Sequence, residues 1–139
     1  MKLYAFAMTP GSGKTTLSKL HDKIIDIDSA VEYTPELYKL METNEWGKVM
    51  KSKTDSLKEY LKNKYWEGDT LILLLHAPGE ARYMDALLLD FYKTSYNDMQ
   101  DIFKINKYAE HAWKVAEKAK IKTREEIKSI MKRAILQYL

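Results

Sequence analysis

Leu3-Tyr-Ala-Phe-Ala-Met-Thr-Pro-Gly-Ser-Gly-Lys-Thr-Thr16 sets the architecture of the whole chain. Leu3 to Met8 is a short apolar run of the kind that forms a buried strand. The run breaks at Thr9-Pro10-Gly11, and from Lys14 the spacing of Leu17 and Leu20 is helical. A strand, a glycine-rich turn and a helix N-terminus, in that order, make an anion site. Glycines let backbone N–H groups converge on a phosphate, and the helix dipole adds partial positive charge. The segment matches the pattern G-x-x-x-x-G-K-[ST] at every fixed position except the first, where Met8 replaces glycine.

On this reading Pro10, Gly11, Ser12, Gly13, Lys14, Thr15 and Thr16 surround the phosphates of a nucleotide such as ATP. Lys14 reaches the outer phosphates as a point charge, and the Thr15 hydroxyl is placed to hold Mg²⁺. Downstream, Lys23-Ile-Ile-Asp-Ile-Asp28 reads as a second, parallel strand, because its three isoleucines are β-branched. Ligands of open parallel sheets bind at the carboxyl ends of the strands, so Asp26 and Asp28 arrive at the same edge as the turn. Two residues apart on a strand, they point to one face. One carboxylate can then hold metal-bound water while the other takes a proton from an acceptor hydroxyl. The structural alternative is that Asp28 and Ser29 only cap the next helix.

Bulk properties narrow the classes. The 139 residues predict a single domain, residues 1–139, and 45% hydrophobic with 31% charged content is ordinary for a globular protein. With no cysteine there is no disulfide framework, thiolate metal site or cysteine nucleophile. No apolar run approaches the roughly 20 residues that span a bilayer, and nothing reads as a signal peptide, so a cytoplasmic location is expected. Net charge is +3, but from Lys104 onward ten Lys or Arg face four Glu. That basic segment suits either contact with nucleic acid or solvation of two helix faces.

The remaining chain reads as follows. Thr34, Pro35 and Glu36 open a helical stretch over 34–66, with Leu37, Leu40 and Met41 on a first stripe. Trp46, Val49, Met50, Leu57, Tyr60, Leu61 and Tyr65 form a second, with lysines including Lys53 on the solvated side and Gly68 as a left-handed cap. Thr70 to His76 is the strongest strand, apolar on both faces and therefore central. His76 at its end is a base, a phosphate ligand or a packed imidazole. Arg82, one of three arginines, either stabilises transferred charge or pairs with Asp85. Residues 81–99 read as helix around Met84, Leu87, Leu88, Phe91 and Tyr92, and Asp101–Ile105 as a last strand. Two amphipathic helices follow, the second opened by the capping box Thr123-Arg-Glu-Glu126.

With the turn and the Ile-Asp-Ile-Asp strand both placed, the chain resembles the small P-loop kinases, which include adenylate and shikimate kinases and the kinase domain of polynucleotide 5′-kinases. Thr9-Pro-Gly-Ser-Gly-Lys-Thr-Thr16 is particularly similar to the loop of the polynucleotide and nucleoside kinase branch. The resemblance implies a three-layer α/β fold, its short parallel sheet flanked by helices on both faces and its loop strand central. It also implies transfer of the γ-phosphate of ATP to a nucleoside, a nucleotide or a 5′-hydroxyl nucleic-acid end. Lys14 and the loop amides would bind the β- and γ-phosphates, Thr15 and Asp26 would serve Mg²⁺, and Asp28 would be the base. Three features depart from the pattern: Met8, the lack of an acid after the third strand, and no arginine-rich lid. They leave room for a second function, a nucleotide-binding structural or regulatory protein with a non-catalytic site.

Overall fold

The computed structural model describes residues 1–139, folded around a five-stranded sheet. In chain order its elements are β1 (Lys2–Met8), α1 (Lys14–Ser18), β2 (Ile24–Asp26), α2 (Ile27–Ala30), α3 (Pro35–Glu42), α4 (Trp46–Lys64) and β3 (Thr70–Leu75). They continue with α5 (Pro78–Tyr83), β4 (Leu87–Thr94), α6 (Tyr96–Ile105), α7 (Lys107–Val115), β5 (Lys120–Lys122) and α8 (Arg124–Tyr138). The strand order is β2-β3-β1-β4-β5, and every pairing is parallel. The strand that leads into the glycine turn is therefore the middle one. β3 lies between it and β2, which puts the carboxyl ends of β1, β3 and β2 side by side.

Two apolar clusters explain the layers. Alternate residues of β1 and β3 point to opposite faces. On one face Ala5, Leu71, Leu73 and Leu75 pack with Leu37, Val49, Leu57 and Leu61 of α3 and α4 and with Ala81 of α5. On the other, Tyr4, Phe6, Met8, Ile72 and Leu74 pack with Leu17 of α1 and with Ile127, Met131 and Ala134 of α8. A third, small cluster of Met99, Phe103 and Ala109 joins α6 to α7. No helix is long and apolar enough to cross a membrane.

The sheet has five strands, and the sequence reading requires correction in its second half. The stretch 81–99 is not one helix. α5 ends at Tyr83, Asp85 takes a positive φ of 55°, and Leu87–Thr94 is β4, paired with β1 through a register shift at Ala5/Phe6. Asp101–Ile105 is the end of α6, not a strand; Met99 and Phe103, one helical turn apart, are its buried residues. The edge strand is instead Lys120–Lys122, held against Tyr92–Thr94. Gly68 is not a left-handed cap, since only Gly11 and Gly13 among the glycines have positive φ. It is instead a close approach, because a side chain there would run into the Trp66 ring.

Helix ends elsewhere follow the sequence. The Thr34 hydroxyl accepts the Leu37 N–H with Pro35 at the first helical position. Thr123 and Glu126 exchange both bonds of a capping box at 3.1 and 3.0 Å.

Candidate functional site

The turn between β1 and α1 is built by two glycines and one serine. Gly11 and Gly13 hold φ of 82° and 87°, a region costly for any residue with a Cβ. Ser12 is buried, and its hydroxyl donates to the Thr9 carbonyl at 2.7 Å, fixing the turn from inside. Pro10 sits on the cleft side, while Thr15 and Thr16 are exposed on the first turn of α1. Lys14 is only 7% exposed, and its Nζ donates to the Met8 carbonyl at 3.3 Å. Burial pushes the Lys14 ammonium down from its ordinary value, against the opposing pull of Asp26, Asp28 and Glu80. This cation is folded back over the turn and surrounded by acids.

Both aspartates reach this edge, but by a different route from the one expected. β2 ends at Asp26, so Asp26 and Asp28 do not share a strand face. Asp26 is the buried N-cap of the short α2, and its Oδ1 accepts the Asp28 N–H at 3.2 Å. The cap is therefore Asp26, not the Asp28–Ser29 pair. Its other oxygen, Oδ2, accepts the Thr15 hydroxyl at 2.9 Å. A hydroxyl and a carboxylate in direct contact are hard oxygen donors of the kind Mg²⁺ prefers. No group of three or more histidine, aspartate or glutamate side chains gathers here that could hold a metal ion by itself, so an ion at this pair would draw its remaining ligands from water and phosphate.

Asp28 is half-exposed and is claimed from two sides. The Tyr33 hydroxyl donates to Oδ1 at 2.9 Å, and His76 Nε2 lies 2.7 Å from the same oxygen. Burial alone would raise the carboxyl, but bonds from His76 and Tyr33 and the charge of Lys14 bring its pKa below the ordinary value. Asp28 is thus held ionised and can only accept, so Nε2 is the donor. His76, just past the end of β3, ties that strand end to Asp28 of α2 and is not a packed core residue. Tyr33 is driven the other way, well above its ordinary value, by burial and by Asp28.

Behind this edge lies an ion pair that the sequence reading missed. Lys53 of α4 and Glu80 of α5 meet at 2.7 Å, both buried. The second Glu80 oxygen accepts the backbone N–H groups of His76 at 2.7 Å and Ala77 at 3.1 Å. Lys53 is not on the solvated side of its helix. It falls one turn from Val49 and one turn from Leu57, both buried, and that spacing is the signal that places it inward. Trp46, read as core, is instead 54% exposed.

Trp46, Tyr33, Met50, Lys53, His76, Glu80, Phe91 and Tyr108 are among the residues that line a cleft of about 520 Å³, floored by Thr9 and Pro10 of the turn. It opens between the α3–α4 pair on one side and α7 on the other. Arg82 does not line it. Arg82 is exposed on the last turn of α5 and forms no ion pair with Asp85. In comparisons with protein-family models, curated proteins and solved structures, none matches this chain.

Proposed function

We propose that the chain is an ATP-dependent phosphotransferase that moves the γ-phosphate to a hydroxyl or phosphate of a nucleoside, a nucleotide or a 5′-hydroxyl nucleic-acid end. One observation carries the reading: the two left-handed glycines, Lys14, the Thr15–Asp26 contact and Asp28 all gather at the carboxyl edge of the central strands, beside a cleft. Phosphoryl transfer asks little covalent chemistry of a protein. It asks for an anion cradle, charge compensation and a positioned hydroxyl.

In this mechanism the turn amides and Lys14 bind the outer phosphates of ATP, and Thr15 and Asp26 would hold Mg²⁺. Mg²⁺, when bound, spreads the charge that develops on the phosphoryl oxygens. Lys14 exchanges the Met8 carbonyl for a phosphate oxygen, whose negative charge offsets the burial that disfavours its own. Asp28 accepts the proton of the acceptor hydroxyl as the new P–O bond forms and the bond to ADP breaks. His76 and Tyr33 keep Asp28 ionised and oriented for that step. Asp28 works in direct contact with the acceptor; His76 and Tyr33 position it.

A second reading has its own support. Asp28 already receives two hydrogen bonds, which lowers its basicity. A nucleotide bound at the turn would then serve to stabilise the fold without being consumed. The experiment that separates them offers γ-labelled ATP and Mg²⁺ with nucleosides, mononucleotides and 5′-hydroxyl DNA and RNA oligomers, with Lys14→Ala and Asp28→Asn as controls. Label on one acceptor, lost in both controls while Asp28→Asn still binds ATP, supports transfer. A melting temperature raised by ATP with no label moved would leave the binding protein standing. Arg82→Ala in the same assay tests whether that exposed arginine swings in; an unchanged rate removes it from the mechanism.

A further inference from the structure

The cleft above the turn is chemically one-sided. Eleven of its sixteen lining residues are hydrophobic, and Trp46, Phe91 and Tyr108 offer flat surfaces. Its volume of about 520 Å³ falls in the ordinary range of small-molecule sites. Its lysine, histidine and carboxylate lining residues are Lys53, His76 and Glu80, and each is already committed. Lys53 is spent on Glu80 at 2.7 Å, and His76 on Asp28 at 2.7 Å. Glu80 cannot turn away to release Lys53, because its other oxygen is held by the N–H groups of His76 and Ala77. An anionic occupant would have to pull Lys53 from a buried carboxylate and strand that charge in the protein interior, a strongly unfavourable exchange.

We infer that the Lys53–Glu80 pair is a specificity device that keeps the cleft neutral, so that its occupant is an uncharged alcohol carrying a flat aromatic ring, about the size of a nucleoside, and not a phosphomonoester. This rests on the phosphotransferase reading of the same site, and within it selects the acceptor class. Discrimination comes from what is refused as much as from what is held: the aromatic walls take the ring, and the satisfied ion pair offers a phosphate nothing. The acceptor hydroxyl then lies toward Asp28, which shares the His76 end of the cleft.

The test is equilibrium dialysis of the full chain, saturated with Mg²⁺ and a non-hydrolysable ATP analogue, against thymidine, guanosine and their 5′-monophosphates. At least one nucleoside should bind tenfold or more tightly than its own monophosphate. Glu80→Gln keeps an oxygen for the two backbone N–H groups but frees the Lys53 charge, and should shrink that ratio about tenfold. Lys53→Met frees no cation and should not shrink it. A monophosphate that binds as tightly as its nucleoside overturns the inference, as does a wild-type protein that takes neither. A folded Glu80→Gln protein with an unchanged ratio removes the ion pair from the explanation. Should that variant not fold, the wild-type ratio alone decides. γ-Labelled ATP supplied in parallel keeps the two ideas apart. Nucleoside binding without transfer removes the phosphotransferase and leaves the cleft preference standing. Transfer to a monophosphate does the reverse.

Discussion

Substituting alanine for Gly11 and for Gly13, one at a time, isolates two costs that the turn combines. Both glycines sit at nearly the same left-handed φ, 82° and 87°. Forcing an L-residue there costs about 1–2 kcal/mol. At Gly13 that is the whole cost, because an added Cβ would meet nothing within 4 Å. At Gly11 the same Cβ would come 3.0 Å from Ile102 Cγ2 and 3.0 Å from Met99 Cε. Met99 is fully buried and cannot swing its methyl into solvent. Overpacking of this kind adds roughly 1–3 kcal/mol. Gly13→Ala should therefore lose about 1–2 kcal/mol, and Gly11→Ala about 2–5 kcal/mol. Urea unfolding of the three proteins, with slopes checked for equality, reads the difference directly. Two variants equal to within about 0.5 kcal/mol would refute the packing of α6 against the turn.

Lys53, Asp28 and Thr123 each carry a further measurable consequence. Lys53→Ala strands a buried Glu80 carboxylate and should destabilise by about 3–5 kcal/mol in urea, with much of the loss recovered when Glu80 is replaced by Gln, which removes the charge and keeps an oxygen for the His76 and Ala77 N–H groups. Asp28 has a folded pKa below its unfolded one, so its contribution to stability is present above the ordinary carboxylate range and fades as pH falls through the folded value. In acid titrations of stability, Asp28→Asn should show a shallower loss than wild type; an identical acid limb would deny the His76 and Tyr33 bonds. Thr123→Ala removes one arm of the capping box of α8 and should cost about 1 kcal/mol, measured by thermal unfolding, with Thr123→Ser restoring most of it.

The first three strands and the turn were legible in the sequence because each carries an unambiguous local signal. Leu3–Met8 stops at a proline–glycine break, Ile24–Asp26 is β-branched, and Thr70–Leu75 is too apolar for a surface helix. The fourth strand was not legible. Met84, Leu87, Leu88, Phe91 and Tyr92 fit a helical stripe by number, yet Leu87–Thr94 is a strand, paired with β1 on one side and β5 on the other. Leu-Leu-Leu-Asp-Phe-Tyr-Lys-Thr lacks the strict alternation of a half-buried strand, and what decides it is the neighbour strand, not the segment. Asp101–Ile105, with Ile102, Phe103 and Ile105 apolar, fits a short strand or a helix end; Met99, one turn before Phe103, tips it to helix. Lys120–Lys122 has three residues, a strand only by virtue of its pairing.

The site divides in the same way. Lys14, Thr15 and Asp26 could be placed from spacing, since they follow from strand, turn and strand. The partners of Asp28 could not. Tyr33 and His76 come from separate parts of the chain, and no local pattern announces that they converge on one oxygen. Glu80 likewise acquires its partner only once α4 and α5 are packed together.

Met8, the residue standing where the loop pattern has glycine, gives the molecule a timing problem. Its side chain is fully buried in the cluster that contains Ile127, Met131 and Ala134 of α8, while its carbonyl anchors Lys14. On a ribosome α8 emerges more than a hundred residues after the glycine turn. Until that helix docks, the end of β1 lacks its cover, and the lysine is tethered to a strand end that is not yet fixed. On the proposed reading, competence to hold a phosphate is thus a property of the assembled chain, waiting on a helix that follows the turn by more than a hundred residues.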